Sequence, residues 1–279
     1  MLRARIVTAL LLLAGFLVAL FLLPFSVWLL LVSGVCGLGA WEWGGLLKLS
    51  AGGRRGYALF SLVLCCALGW LAFDFASGST RLPDLLLAAY LLAGAFWLLV
   101  VPLWLKTKWP IQAGLRGGLA GLVILLPACL AMMQLRAFAP LFLLAVMAAV
   151  WMADISAYAC GRAFGRRKLA PAISPGKTWE GAAGALGGVL LYGSAVTAAV
   201  GRMPDGTGAW VGFGLALALL TVVSIYGDLF ESLAKRQAGV KDSGTTLPGH
   251  GGVLDRIDSL TSTLPLVGLA VLLWEGRLL

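Results

Sequence analysis

Runs of about twenty apolar residues follow one another along almost the whole of this chain, and that pattern allows few folds. Twenty residues is about the length at which an α-helix crosses the hydrocarbon of a bilayer. A helix also satisfies its own backbone hydrogen bonds there. The runs lie at approximately 5–23, 25–47, 56–73, 84–105, 115–134, 138–161, 179–201, 209–234 and 256–274. They read as nine transmembrane helices of an all-α, polytopic integral membrane protein. With 61% hydrophobic and only 12% charged residues, a soluble globular chain is excluded. Pro24 splits the first apolar stretch in two, because proline removes a backbone donor and clashes with the preceding turn. Arg3 and Arg5 precede a run with no convincing cleavage site, so it reads as a first span and not a removable signal.

Charge tests the count. If the N-terminus is cytoplasmic, 17 of the 21 basic residues fall on the inside and only Arg81, Arg136, Arg202 and Arg277 on the outside. Cytoplasmic loops carry such an excess of Lys and Arg. Removing one span would swap every later loop and erase the bias. The net charge of +9 is therefore assigned to cytoplasmic loops and anionic phospholipid, not to nucleic acid. The chain divides by content into residues 1–134, spans that would form a lipid entrance or dimer support, and residues 135–279, which hold the unusual polar residues. Five cysteines, Cys36, Cys65, Cys66, Cys129 and Cys160, lie in apolar segments without zinc-ligand spacing and are expected to pack as small apolar residues.

The polar residues concentrate in two inside loops and the helices beside them. Asp228, Glu231, Ser232 and Lys235 recur at helical spacing and share one face of the eighth span. Asp255, Asp258, Ser259 and Ser262 do the same at the start of the ninth. The first set also reads as a polar helix end, and the second suits the positive end of a helix dipole. Two acidic faces near one membrane boundary are oxygen-only ligands of the kind that suit Mg²⁺. Between them run Lys241-Asp242-Ser243-Gly244 and Leu247-Pro248-Gly249-His250-Gly251-Gly252. Glycines there let backbone N–H groups approach phosphate oxygens, with a helix N-terminus just beyond. The other inside loop carries Ser174-Pro175-Gly176-Lys177-Thr178-Trp179-Glu180. Ser174 and Pro175 fit an N-cap and first-turn pair, while Lys177 and Thr178 in that first turn could bind phosphate. Asp154 sits inside the sixth span, on one face with Ala157, Tyr158 and Gly161, and an intramembrane acid marks a functional site or a structural hydrogen bond.

Taken together, Ser232-x-x-Lys235-Arg236, Lys241-Asp242-Ser243-Gly244, Leu247 to Gly252 and Leu254-Asp255-Arg256-Ile257-Asp258-Ser259 closely resemble the defining motif of the phosphatidate cytidylyltransferases (CDP-diacylglycerol synthases). Asp154-x-x-Ala157-Tyr158-x-x-Gly161-Arg162 and the segment Ser174 to Gly181 are similar to two further motifs of that family, with Gly176 where a second lysine is expected. The resemblance covers roughly residues 140–279. It implies condensation of CTP with phosphatidic acid to CDP-diacylglycerol and pyrophosphate. It also implies Mg²⁺ or Mn²⁺, with more than one cation, and a homodimer in the inner membrane with its site facing the cytoplasm. By motif position Asp228 and Asp255, with Asp258, would hold metal. Lys235, Arg236, Lys241, Asp242 and His250 would complete the catalytic set, and Ser174, Lys177, Thr178, Gly251, Gly252, Arg256, Asp154 and Tyr158 would contribute to substrate binding.

Two other functions share some of these features. A CTP-dependent lipid alcohol kinase would attack the γ-phosphorus and need a base for its hydroxyl substrate. A cation transporter could line a path with Asp154, Asp228 and Glu231, but such proteins place their sites at the midplane between repeats. The polar residues here gather at one face instead.

Overall fold

The computed structural model describes residues 2–246 and 251–276, with side chains described from residue 13 onward and at residue 11. Its helices are α1 (Leu2–Leu22), α2 (Phe25–Leu46), α3 (Ala51–Ala72), α4 (Pro83–Ala95), α5 (Val101–Thr107), α6 (Leu115–Phe138), α7 (Pro140–Phe164), α8 (Trp179–Ala199), α9 (Gly206–Ala238) and α10 (Leu254–Glu275). A π-helical segment, Phe96–Val100, joins α4 and α5 into one rod, Pro83–Thr107. Among the described residues eight helices are long and apolar enough to cross a membrane, and the apolar part of α1, Leu13–Leu22, precedes them. The chain is an all-α polytopic membrane protein.

Several boundaries move from their expected places for local reasons. The third span starts at Ala51, not near residue 56, because Ser50 caps it by accepting from the Gly53 N–H at 3.2 Å. Gly52, Gly53, Arg54 and Arg55 are therefore helical although their sequence reads as a loop. The largest correction lies between α7 and α8. Ser174 and Pro175 do not begin a helix. They belong to strand β2 (Ser174–Thr178), which pairs antiparallel with β1 (Lys168–Ala170). Proline disfavours helical geometry in the residue before it, and the cap falls four residues later at Thr178, whose hydroxyl accepts from the Gly181 N–H at 3.1 Å. Lys177 thus projects from a strand, not from a helical turn.

The ends sort as the charge pattern requires. Gln237 near the end of α9 accepts from the Ile111 N–H at 2.6 Å and donates to the Lys108 and Trp109 carbonyls. Arg236 Nε donates to the Ile173 carbonyl at 3.4 Å. The loops after α5, α7 and α9 therefore gather around one end of α9. At the opposite end, Arg136 donates to the Leu20 and Leu23 carbonyls. Asp74, in the loop after α3, accepts from the Ala76 and Ser77 amides and pairs with Arg81. These bonds, the Ser77 amide first, hold its carboxyl well below the usual carboxylate range.

One aromatic cluster fixes the helix that carries the site. Phe230 on α9 is 1% exposed. Its ring stacks on Trp43 at 6.3 Å and meets Phe96, Trp97 and Trp104 edge-on at 5.8, 5.9 and 5.3 Å. The widened π-helical turn presents Phe96 and Trp97, adjacent in sequence, to that same ring. With Phe230 locked inward, Asp228 is turned away from the cluster, since two residues advance a helix by roughly 200° at 3.6 residues per turn.

Candidate active site

At 33 residues, α9 is the longest helix of the chain. About 20 residues suffice for the hydrocarbon, so its last turns, from Asp228 onward, rise to the membrane boundary. Gly239, at φ +82°, ends it in a left-handed turn whose N–H reaches back to the Arg236 carbonyl at 3.1 Å.

Helix α10 lies very close to α9 there. A Cβ on Gly227 would sit 2.6 Å from both the Asp258 carbonyl and Ser262 Oγ. Ser262 Oγ donates to the Val223 carbonyl at 2.8 Å and Ser259 Oγ to the Ser224 carbonyl at 3.2 Å. The serines expected on one face of α10 thus staple it to the α9 backbone and bring two sets of carboxylates together. Asp154 on α7, Asp228 on α9 and Asp258 on α10 interact electrostatically with one another, and Glu231 on α9 interacts with Asp258 and Asp255.

A cavity of about 440 Å³ opens beside these acids. Asp154, Tyr158, Arg162, Ser174, Lys177, Thr178, Ser224 and Asp228 line it. Lys177 reaches across from β2 to form an ion pair with Asp228, and Ser232 Oγ donates to the other Asp228 oxygen at 3.3 Å. Arg162 donates to the Tyr158 hydroxyl at 3.0 Å. Glu180 holds the hairpin base by accepting from the Arg166 and Arg167 amides at 3.1 and 3.2 Å. Close packing of α7 on α8 sets this wall: a Cβ on Gly181 would lie 2.9 Å from the Ala157 carbonyl.

The second group of candidates surrounds the loop before α10. Lys235 donates to Asp255 Oδ1 at 2.7 Å and lies 3.2 Å from Glu231. Asp255 Oδ2 accepts from the Ser243 amide, the Ser243 hydroxyl and the Gly252 amide at 2.9, 3.0 and 2.8 Å. One carboxylate therefore holds both the loop and the lysine. Lys241, Asp242 and Arg236 are exposed at the rim. Arg256, also exposed, starts α10 with its amide on the Val253 carbonyl at 3.0 Å. Gly251 takes φ +79°. His250, with Leu247, Pro248 and Gly249, lies outside the described residues.

One residue central to this arrangement was not among the sequence candidates. Glu42, on α2, is fully buried. It accepts from Ser243 Oγ at 2.9 Å, Thr246 Oγ at 2.6 Å, the Val253 amide at 2.9 Å and the Leu254 amide at 2.8 Å. It satisfies two of the amides that open α10 and ties the loop to the N-terminal spans. A Cβ on Gly252 would collide with Ser243 Oγ and Glu42 Oε2, so only glycine fits there. The signal was present: a lone acid between Trp41 and Trp43 in an apolar run.

Fold and site together define a membrane-embedded enzyme with a cluster of acids and flanking cations at one end of its helices. The profile of the cytidylyltransferase family matches residues 3–274, and the chain belongs to that family. It is 45% identical to a phosphatidate cytidylyltransferase of Pseudomonas aeruginosa over 99% of this chain and 98% of the relative. It is 37% identical to one of Haemophilus influenzae over 95% and 96% of the two chains. With one of Brucella abortus it shares 44% identity over 71% of each. The similarity thus extends through the N-terminal spans, beyond residues 140–279.

Proposed function

We propose that this chain joins CTP to phosphatidic acid, releasing pyrophosphate and leaving CDP-diacylglycerol in the membrane. Whole-length similarity to enzymes bearing that name favours it over a lipid alcohol kinase or a cation transporter. The observation that carries the chemistry is the meeting of carboxylates from α7, α9 and α10 beside a cavity edged by Lys177 and Arg162.

Among the described residues no three of these acids place ligand oxygens within 4.8 Å of one another, but carboxylate oxygens are ligands of the kind that suit Mg²⁺. The carboxylates available to it are Asp154, Asp228 and Asp258, with Asp255, whose Oδ1 is shared with Lys235. When bound, the metal would supply charge neutralisation on the nucleotide phosphates.

The chain's own groups account for the rest. The attacking oxygen belongs to a phosphate monoester whose second pKa is about 6, so it arrives largely ionised and no strong base is needed. It forms a bond to the α-phosphorus while the bond from that phosphorus to the β-phosphate bridging oxygen breaks. The difficulty is bringing two anions together, and positioning with fixed cations answers it. Lys177, Lys235, Arg236, Lys241 and Arg256 are the cations on hand. Of the two glycines before α10, Gly251 keeps a backbone amide suited to phosphate oxygens, while the Gly252 amide is held by Asp255 Oδ2 at 2.8 Å. The lipid would enter sideways with its acyl chains in the bilayer, at the cytoplasmic face of the inner membrane, in a homodimer.

The test is pyrophosphate release by purified protein in detergent. It should require CTP and phosphatidic acid together, stop on chelation and return with Mg²⁺. Asp228→Asn and Asp255→Asn should each abolish it while the protein stays monodisperse. Near-normal turnover in both variants would sink the assignment.

A further inference from the structure

Three of the five cysteines converge although the sequence separates them widely. Cys36 on α2, Cys65 on α3 and Cys129 on α6 place their sulfurs within 4.8 Å of one another. They are 0, 0 and 5% exposed. All are free thiols, whereas Cys66 and Cys160 stand apart from the cluster. Three sulfurs around one ion at about 2.3 Å would lie roughly 4 Å from each other, which the 4.8 Å bound on these sulfurs allows.

The surroundings point the same way. The Cys36 thiol lies within reach of the Cys65 and Cys129 thiols and makes a long contact, 3.8 Å, to the Ser61 carbonyl. The Ser33 and Ser61 hydroxyls are 1 and 0% exposed and neither has a well-formed hydrogen bond. Buried polar atoms left so poorly satisfied are costly in an apolar interior, and they lie on the same two helices as Cys36 and Cys65. No fourth His, Cys, Asp or Glu joins the three among the described residues. Zn²⁺ in a structural site takes four ligands. Three sulfurs alone suit a softer ion with a low coordination number.

We propose that Cys36, Cys65 and Cys129 form a binding site for a soft monovalent d¹⁰ cation of the Cu⁺ class, apart from the catalytic cavity. Each ligating cysteine binds as its thiolate, so a three-sulfur shell forms with release of three thiol protons to solvent. The ion would pin α3, of whose most apolar stretch only 22% is buried, to α2 and α6. It would also brace α2, which carries Glu42.

The test starts from the Cys66→Ser/Cys160→Ser variant, which keeps the cluster and removes the other thiols. Titrated with Cu⁺ against a competing Cu⁺ chelator, it should hold one ion per chain. X-ray absorption at the copper edge should show three sulfur neighbours. Adding Cys36→Ser, Cys65→Ser or Cys129→Ala should weaken retention at least tenfold, with the melting temperature of the metal-free protein as the control for folding. Unchanged retention without the three thiols overturns the proposal. So does a first shell of fewer than three sulfurs in the parent variant, a readout that does not depend on how the further variants fold.

Discussion

Glu42 shows how much one residue can organise. Its carboxylate accepts from two hydroxyls and two amides, the farthest separated from it by 212 positions. Glu42→Gln would turn an N–H₂ group toward donors, and each donor orphaned in a buried site costs about 1–3 kcal/mol. We expect a lower unfolding midpoint and at least a tenfold loss of turnover, read by thermal unfolding in detergent and by pyrophosphate release. An unaltered variant would remove Glu42 from the account. Gly252→Ala should likewise cut turnover sharply, because its Cβ would meet Ser243 and Glu42, while helix content by circular dichroism stays unchanged. The site was only partly legible at this scale. Asp228, Lys235, Asp255 and Asp258 announce themselves by helical spacing within one short stretch. Glu42 stands alone in its run, and its four partners are named only by the fold. The cysteine cluster was hidden for the same reason, since each thiol looks like ordinary apolar packing in its own helix.

Among the elements, the hairpin before α8 and the α9–α10 crossing carry the sharpest expectations. Thr178, not Ser174, satisfies the first turn of α8. Thr178→Ala should therefore cost about 1 kcal/mol of stability, whereas Ser174→Ala should change it by less than about 0.5 kcal/mol. The reverse order in denaturant titrations would restore Ser174 as the cap. The apolar run reads from residue 179, where α8 begins, and only the Ser-Pro cap signal points upstream, because the strand pairing that overrides it depends on Lys168–Ala170. Gly227 allows α10 to approach α9 to hydroxyl–carbonyl distance. Gly227→Val should push the helices apart, costing roughly 1–3 kcal/mol as overpacking does, and abolish turnover by separating Asp228 from Asp258. A fully active valine variant would mean that this crossing does not set the site. The helices themselves were legible almost throughout, since hydrophobic length alone defines a span. Their ends moved where a cap or a helix longer than the hydrocarbon decided the matter, as at Ser50 and along α9.

On the scale of the whole molecule, the alternation of loops read from charge agrees with the structure. The loops after α5, α7 and α9 meet around Arg236 and Gln237, and those after α1, α3 and α6 lie toward the other end. The N-terminal spans are not a separate layer beneath the catalytic region. One apolar core runs from Leu20 on α1 through Trp43, Tyr90 and Leu125 to Leu264 on α10, and Glu42 crosses from the first part of the chain to the loop of the second. On the proposed function, the acids at this shared end direct a lipid phosphate onto the α-phosphorus of CTP. Purified protein in detergent with phosphatidic acid, Mg²⁺ and CTP labelled on either the α- or the γ-phosphorus tests it most directly. α-Label is expected to enter the lipid while γ-label leaves as pyrophosphate. Transfer of γ-label to a lipid, or failure of α-label to move in folded, metal-supplied protein, would contradict it.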